Sequence, residues 1–184
     1  MRQLTTLFLA FIFAVPTMTP AKAQRQTQTQ TKRQESTGKD GFVWPKVARG
    51  ASGLRIVALQ FLLRSRGYKV AADGKFGDAT ERALRGFQAK NRLQVDGTLG
   101  WQSWEALTPA LKDGARGDAV RALQTLLIQA GYKLPRDGIY GSTSAKALAQ
   151  FRKPLPITAR NSTVYEIDWC YLLGGRVVPD AGSD

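Results

Sequence analysis

The chain has 184 residues with 27 Lys or Arg against 14 Asp or Glu, a formal charge of +13, one cysteine and no histidine. The missing imidazole excludes Ser-His-Asp triads, Cys-His dyads and His-based zinc centres, and a single cysteine excludes an intramolecular disulfide. So basic a chain is drawn to polyanions.

The first segment reads as a leader. Met1-Arg2-Gln3 is a short positive start, Leu4–Val15 is mostly apolar but short for a bilayer, and Ala21-Lys22-Ala23 is a small-x-small cleavage site. A secretory signal peptide is expected over 1–23, in preference to an uncleaved anchor or a buried helix, leaving no stable membrane span after cleavage. Losing Arg2 and Lys22 lowers the charge to 13 − 2 = +11. The expected location is the bacterial periplasm or cell envelope. The polyanions met there are cell wall, lipid head groups and anionic polysaccharide; nucleic acid is not expected, since no motif for it is present. Residues 24–41 are rich in Gln and Thr and almost without large apolar side chains, so a disordered tether is expected.

From Phe42 onward the chain is written twice. Gly50–Phe87 returns as Gly114–Phe151, with 17 identities in 38 positions and no gap. Turn and core residues are both kept, which marks two copies of one small folding unit. Two tandem three-helix domains are expected, 42–110 and 111–176, followed by a tail at 177–184.

In the first copy Ile56, Leu59, Gln60 and Leu63 fall at i, i+3, i+4 and i+7, and Leu62 widens the stripe, predicting an amphipathic helix that Gly67 stops. Asp73-Gly74 closes the following loop, and Asp78 or Thr80 can cap the next helix. That helix carries Ala83, Leu84 and Phe87 and runs on towards Leu93. Asp96-Gly97 makes a second turn, and a third helix uses Leu99, Trp101, Trp104 and Leu107 before Pro109.

The second copy repeats the first two helices with Val120, Leu123, Gln124 and Leu127, then Ala147, Leu148 and Phe151. Pro154 and Pro156 should break its second helix early. It has no counterpart of Asp96-Gly97. With one residue inserted, Thr163, Val164, Trp169 and Leu172 align with Thr98, Leu99, Trp104 and Leu107, so the last helix is expected to survive behind a rebuilt turn. Cys170, between Trp169 and Tyr171, reads as a buried small hydrophobe.

The series Leu59-Gln60, Leu63, Gly67-Tyr68, Asp73-Gly74-Lys75-Phe76-Gly77, Thr80, Ala83-Leu84, Phe87-Gln88, Asp96-Gly97, Gly100, Trp104 and Leu107 resembles the peptidoglycan-binding domain of bacterial cell-wall hydrolases. That is a small three-helix module attached to amidases, lysozyme-like enzymes and transpeptidases. The resemblance covers the first copy and about two thirds of the second, which keeps Gly131-Tyr132, Asp137-Gly138-Ile139-Tyr140-Gly141 and Phe151 but has Arg152 where the family has Gln. It implies an all-α fold and a glycan–peptide polymer as ligand. Most of the Leu, Phe and Asp-Gly positions read as scaffold. The candidates for ligand contact are Asp73, Lys75, Phe76, Thr80, Gln88, Asn91, Arg92 and Trp101, with Asp137 and Tyr140 in the second copy. Lys and Arg would pair with stem-peptide carboxylates, and Trp101 would stack on sugar or fill the core.

Catalysis is not expected. Glu35, Glu81, Glu105 and Glu166 lie in the tether or on ordinary helical segments, and no further domain is present to form a cleft. No cofactor and no metal site are expected. The leading expectation is a non-catalytic exported protein that binds peptidoglycan through tandem modules. One rival is an interaction or regulatory module that docks a cell-wall hydrolase, another envelope protein or a secretion component, motivated by the altered second copy with its Pro154/Pro156 break and an exposed Trp169-Cys170-Tyr171 region. The other is a hydrolase with an unfamiliar site.

Overall fold

In each repeat, helix, Asp-Gly turn and helix are followed by a second turn and a short helix. The computed structural model describes residues 41–178. The expected signal peptide, the tether up to residue 40 and the tail from 179 lie outside the described residues. The first repeat contributes α1 (Leu54–Ser65), α2 (Asp78–Lys90) and α3 (Trp101–Leu107), the second α4 (Asp118–Gln129), α5 (Ser142–Arg152) and α6 (Glu166–Leu172). The all-α expectation holds. One addition was not legible in the sequence: β1 (Phe42–Val43) pairs antiparallel with β2 (Arg176–Val177), Phe42 facing Val177. No helix among the described residues is long and apolar enough to cross a membrane.

Glycines punctuate the helices. α1 and α4 begin after Gly53 and Gly117, whose φ angles of 108° and 107° place them where a side chain is disfavoured. Both end in a Schellman turn: the Tyr68 N–H donates to Leu63 O and the Tyr132 N–H to Leu127 O, each at 3.1 Å, past left-handed Gly67 and Gly131. The tyrosine ring then meets the second helix edge-on, Tyr68 on Phe87 and Tyr132 on Phe151, with centroids 6.3 and 6.5 Å apart. The expected side-chain cap of α2 is absent. Gly77 holds the cap position, Asp78 pairs with Arg49 at 2.5 Å, and Thr80 is drawn inward by Gln60.

The stripe Ile56, Leu59, Gln60 and Leu63 is buried as expected; Leu62, expected to widen it, instead joins Ala58 and Phe61 in a second buried face on the other side of α1. α4 repeats this, burying Ala122, Thr125 and Leu126 as well as Val120, Leu123, Gln124 and Leu127. The second buried face exists because α1 and α4 pack along each other, the most extensive helix contact among the described residues. One hydrophobic cluster therefore runs through both repeats, and an ion pair between Arg64 Nε and Asp118 Oδ2 at 2.9 Å ties the two helices.

The last helix survives as expected. Trp104 Nε1 donates to Pro45 O and Trp169 Nε1 to Pro109 O, both at 2.8 Å and both rings fully buried. Matching bridges join Val47 to Leu99 and Leu111 to Val164. α5 stops at Arg152, just before Pro154, whereas α2 runs two residues past the equivalent Gln88. The expected exposure of Trp169-Cys170-Tyr171 is corrected: Trp169 and Cys170 are buried and Tyr171 is half-buried. The Cys170 sulfur lies under the strand pair, 3.8 Å from the carbonyls of Val43 and Arg176, and burial, with a smaller effect from Glu166, pushes its thiol up to about 12.

Candidate functional site

A glutamine amide can donate twice and accept twice, enough to hold a whole turn. Gln60 works from inside α1. Its two Nε2–H are shared among three acceptors, Asp73 Oδ1 at 2.7 Å, Lys75 O at 3.0 Å and Thr80 Oγ1 at 3.1 Å, and its Oε1 accepts the Gly74 N–H at 2.9 Å. Asp73 Oδ1 also accepts the Lys75 N–H at 2.9 Å. Gly74 has φ +72°, and a Cβ there would lie 3.1 Å from Val57 Cγ2, so the turn requires glycine twice over. Gln124 repeats the set with Asp137, Gly138, Ile139 and Ser144 at 2.9–3.2 Å. Gln88 repeats it again in the second turn with Asp96, Gly97, Thr98 and Ser103 at 2.9–3.2 Å.

At the fourth such corner the chemistry changes. Arg152 stands in the place of Gln88 and Asp168 in the place of Ser103. Arg152 Nε donates to Asp168 Oδ1 at 2.7 Å and its terminal nitrogen to Oδ2 at 2.5 Å, a buried bidentate pair. The remaining donors reach the carbonyls of Asn161 and Thr163, both at 2.6 Å. Asp168 Oδ2 also accepts the Tyr165 N–H at 2.8 Å, closing the start of α6. A longer side chain with more donors thus holds a loop that lost its Asp-Gly. The hydrogen bonds that Arg152 donates to Asp168 hold the guanidinium above its ordinary pKa.

These networks sort the ten candidate residues. Phe76 (2% exposed) and Tyr140 (0%) are core, not contact residues; the Tyr140 hydroxyl donates to Ser162 O, and burial pushes its pKa up to about 12. Thr80 and Gln88 are also buried, spent on the turns they hold. These four are corrected as candidates for direct contact. Asp73, Lys75, Asn91, Arg92 and Asp137 are exposed, and Trp101 is half-buried against the core. Asp73 and Lys75 share one turn. Asn91 and Arg92 close α2: Asn91 Nδ2 donates to Phe87 O at 2.8 Å, and Arg92 takes φ 57°, a left-handed position that a non-glycine residue seldom fills.

The Lys75 N–H, and after it the Gln60 amide, hold the Asp73 carboxyl below its ordinary value of 3.8. At Asp137 the order is reversed, Gln124 first and then the Ile139 N–H. Lys75 has no counterpart in the second copy, where Ile139 stands. Among the described residues no three His, Cys, Asp or Glu gather to hold a metal. Glu81 is taken by Arg85 at 3.0 Å and Arg49 at 3.6 Å.

A family model described as a peptidoglycan binding domain matches residues 52–107 and 116–153, more than half of the chain. The chain belongs to this family. Both matched segments hold an Asp-Gly turn on a buried glutamine, so the family match and the geometry meet on the same residues. The chain is 43% identical over 67 residues to a spore cortex-lytic enzyme of Bacillus cereus, covering 36% of this chain and 26% of that one. It is 30% identical over 134 residues to a probable N-acetylmuramoyl-L-alanine amidase of Bacillus licheniformis, covering 56% and 38%. Similar solved structures include a peptidoglycan-binding protein from Clostridioides difficile in complex with glutamine hydroxamate, 36% identical with TM-score 0.34, covering 34% of this chain and 40% of that one. Another is the SleB N-terminal domain, 42% identical with TM-score 0.34, covering 36% and 92%. The chain spans between 26% and 38% of the length of these curated relatives.

Proposed function

We propose that this chain is an exported, non-catalytic protein of the bacterial envelope that holds peptidoglycan through its paired repeats. The observation that carries the reading is the family match in both repeats, each built on its own glutamine-held turn. Absence of catalysis is supported by the composition, which has no histidine, and by the engagement of Glu81 in ion pairs. The contact residues we assign are Asp73, Lys75, Asn91, Arg92 and Trp101 in the first repeat and Asp137 in the second. Lys75 and Arg92 pair with carboxylates of the polymer, and Trp101 offers the exposed part of its ring. The repeats, assigned to 42–110 and 111–176, act as one body because α1 and α4 share a core. The surface charge speeds the encounter and makes it salt-sensitive, since the screening length falls from about 30 Å at 0.01 M salt to about 10 Å at 0.1 M.

The test is co-sedimentation of the full chain with purified sacculi. Sedimentation at low salt, weakening as salt is raised, is expected, and protein that stays in the supernatant refutes binding. A zymogram on wall-containing gel is expected to show no clearing; a cleared band would make the protein a hydrolase. Docking onto a wall enzyme keeps the altered second copy, with its Pro154 and Pro156 break, as its motive, but not an exposed Trp169-Cys170 pair, since both are buried.

A further inference from the structure

At each end of the α1–α4 pair lies a groove lined by residues of both repeats. Its walls are the segment leading into the first helix of one repeat and the last turn of the first helix of the other. One groove, of about 460 Å³, joins Arg116–Ala119 to Arg64–Arg66. The other, of about 380 Å³, joins Lys46–Ile56 to Gln129. They occupy equivalent places in the repeat but differ in charge. In the first, Asp118 neutralises Arg64 at 2.9 Å and also holds Arg121 at 2.8 Å, while Arg66 donates to the carbonyls of Ala106 and Leu107.

In the second groove Leu54 stands where Asp118 would be. The lining includes Lys46 and Arg55 and no acid. Lys46 is exposed, and neither cation has an ion pair among the described residues. The buried Arg55 Nε has no acceptor among the described residues, a costly state for a charged donor, while its terminal nitrogen lies against Gly174. α1 opens here with no side-chain cap and no acid in its first turn. Exposed Lys75, one of the assigned contact residues, is bridged through its backbone to Ser52 on the same wall. Uncompensated cations around a ligand-sized groove call for an anion.

We propose that this groove, walled by the first repeat and closed on one side by Gln129 of the second, receives a carboxylate of the peptidoglycan stem peptides. The assignment rests on the peptidoglycan reading above. Full-length Lys46→Gln/Arg55→Gln is compared with Lys133→Glu, which changes the net charge equally at an exposed position on the second repeat. Each is titrated with untreated sacculi and with sacculi whose carboxyls have been amidated. The double variant is expected to bind untreated sacculi about tenfold more weakly than wild type, while Lys133→Glu stays near wild type. Amidation should weaken wild type by at least a similar factor and the double variant by much less, the residual loss being that of Lys75 and Arg92. Should Arg55→Gln lower the melting temperature into the assay range, Lys46→Gln alone carries the test, with a loss of about threefold expected. Wild-type binding that ignores amidation, or a groove variant that binds like Lys133→Glu, overturns the groove and leaves the peptidoglycan reading standing. Wild type that fails to bind untreated sacculi overturns both.

Discussion

At the scale of single residues, the folded state is fixed by a few buried polar groups whose bonds are all made. Asp73 and Asp137 are the exposed ends of two of these networks, and both titrate below their ordinary value of 3.8. A carboxyl lowered in the folded state stabilises well above its unfolded pKa, and that contribution fades as pH falls through the folded one. Asp73→Asn/Asp137→Asn is therefore expected to flatten the decline of melting temperature on acidification between about pH 5 and pH 2; an unchanged acid limb would contradict the networks. Arg152 and Asp168 make a sharper case. Arg152→Gln leaves a buried carboxylate without its cation and should cost about 3–5 kcal/mol in urea denaturation. Arg152→Gln/Asp168→Ser, which rewrites the corner in the residues of the first copy, should cost less than the single change. The sequence placed Gln60 and Gln124 on the helical stripe and flagged Arg152 as a departure, but it could not show what they hold. Their partners lie 13 to 20 positions away, and Asp168 lies 16 away across a rebuilt loop.

At the scale of elements, the helices were legible where one apolar stripe or one tryptophan marks them. Trp169 placed α6 correctly across a one-residue insertion because its ring needs the same burial and the same carbonyl partner as Trp104. What stayed hidden was the second apolar face of α1, made by Ala58 and Phe61 with Leu62, which by spacing alone widens the first stripe. A helix that is apolar on two sides needs two neighbours, and the sequence alone does not name the second. Leu62 is fully buried on that side, so Leu62→Ala should destabilise the whole fold by about 2–5 kcal/mol. Calorimetry should show a single transition moving down. Two separate transitions would mean the repeats fold independently. The strand pair was illegible because two residues on each side leave no alternating pattern to read.

At the scale of the whole molecule, the two repeats divide the sequence but not the core. The fragment 41–110 would expose the α1 face that α4 covers, a patch of the kind that drives association. In sedimentation velocity it should dimerise or aggregate at concentrations where the full chain keeps one species. A monomeric fragment with native circular dichroism would contradict the shared core. The same sharing explains why charge counted over the whole chain hinted at a polyanion but not at a place. The groove that holds Lys46 and Arg55 is lined by the first copy and by Gln129 of the second, a neighbourhood that the sequence does not spell out.

Phe42 and Val177 are backbone partners, so the first and last strands of the fold lie side by side. A short linker can join them, and the chain can be opened at the exposed Lys112-Asp113 step between the repeats. Such a circular permutant would read second repeat before first while keeping the helix pair, both tryptophan anchors and the composite groove. The packing of α1 on α4, rather than the order in which the copies are written, is thus what the architecture demands.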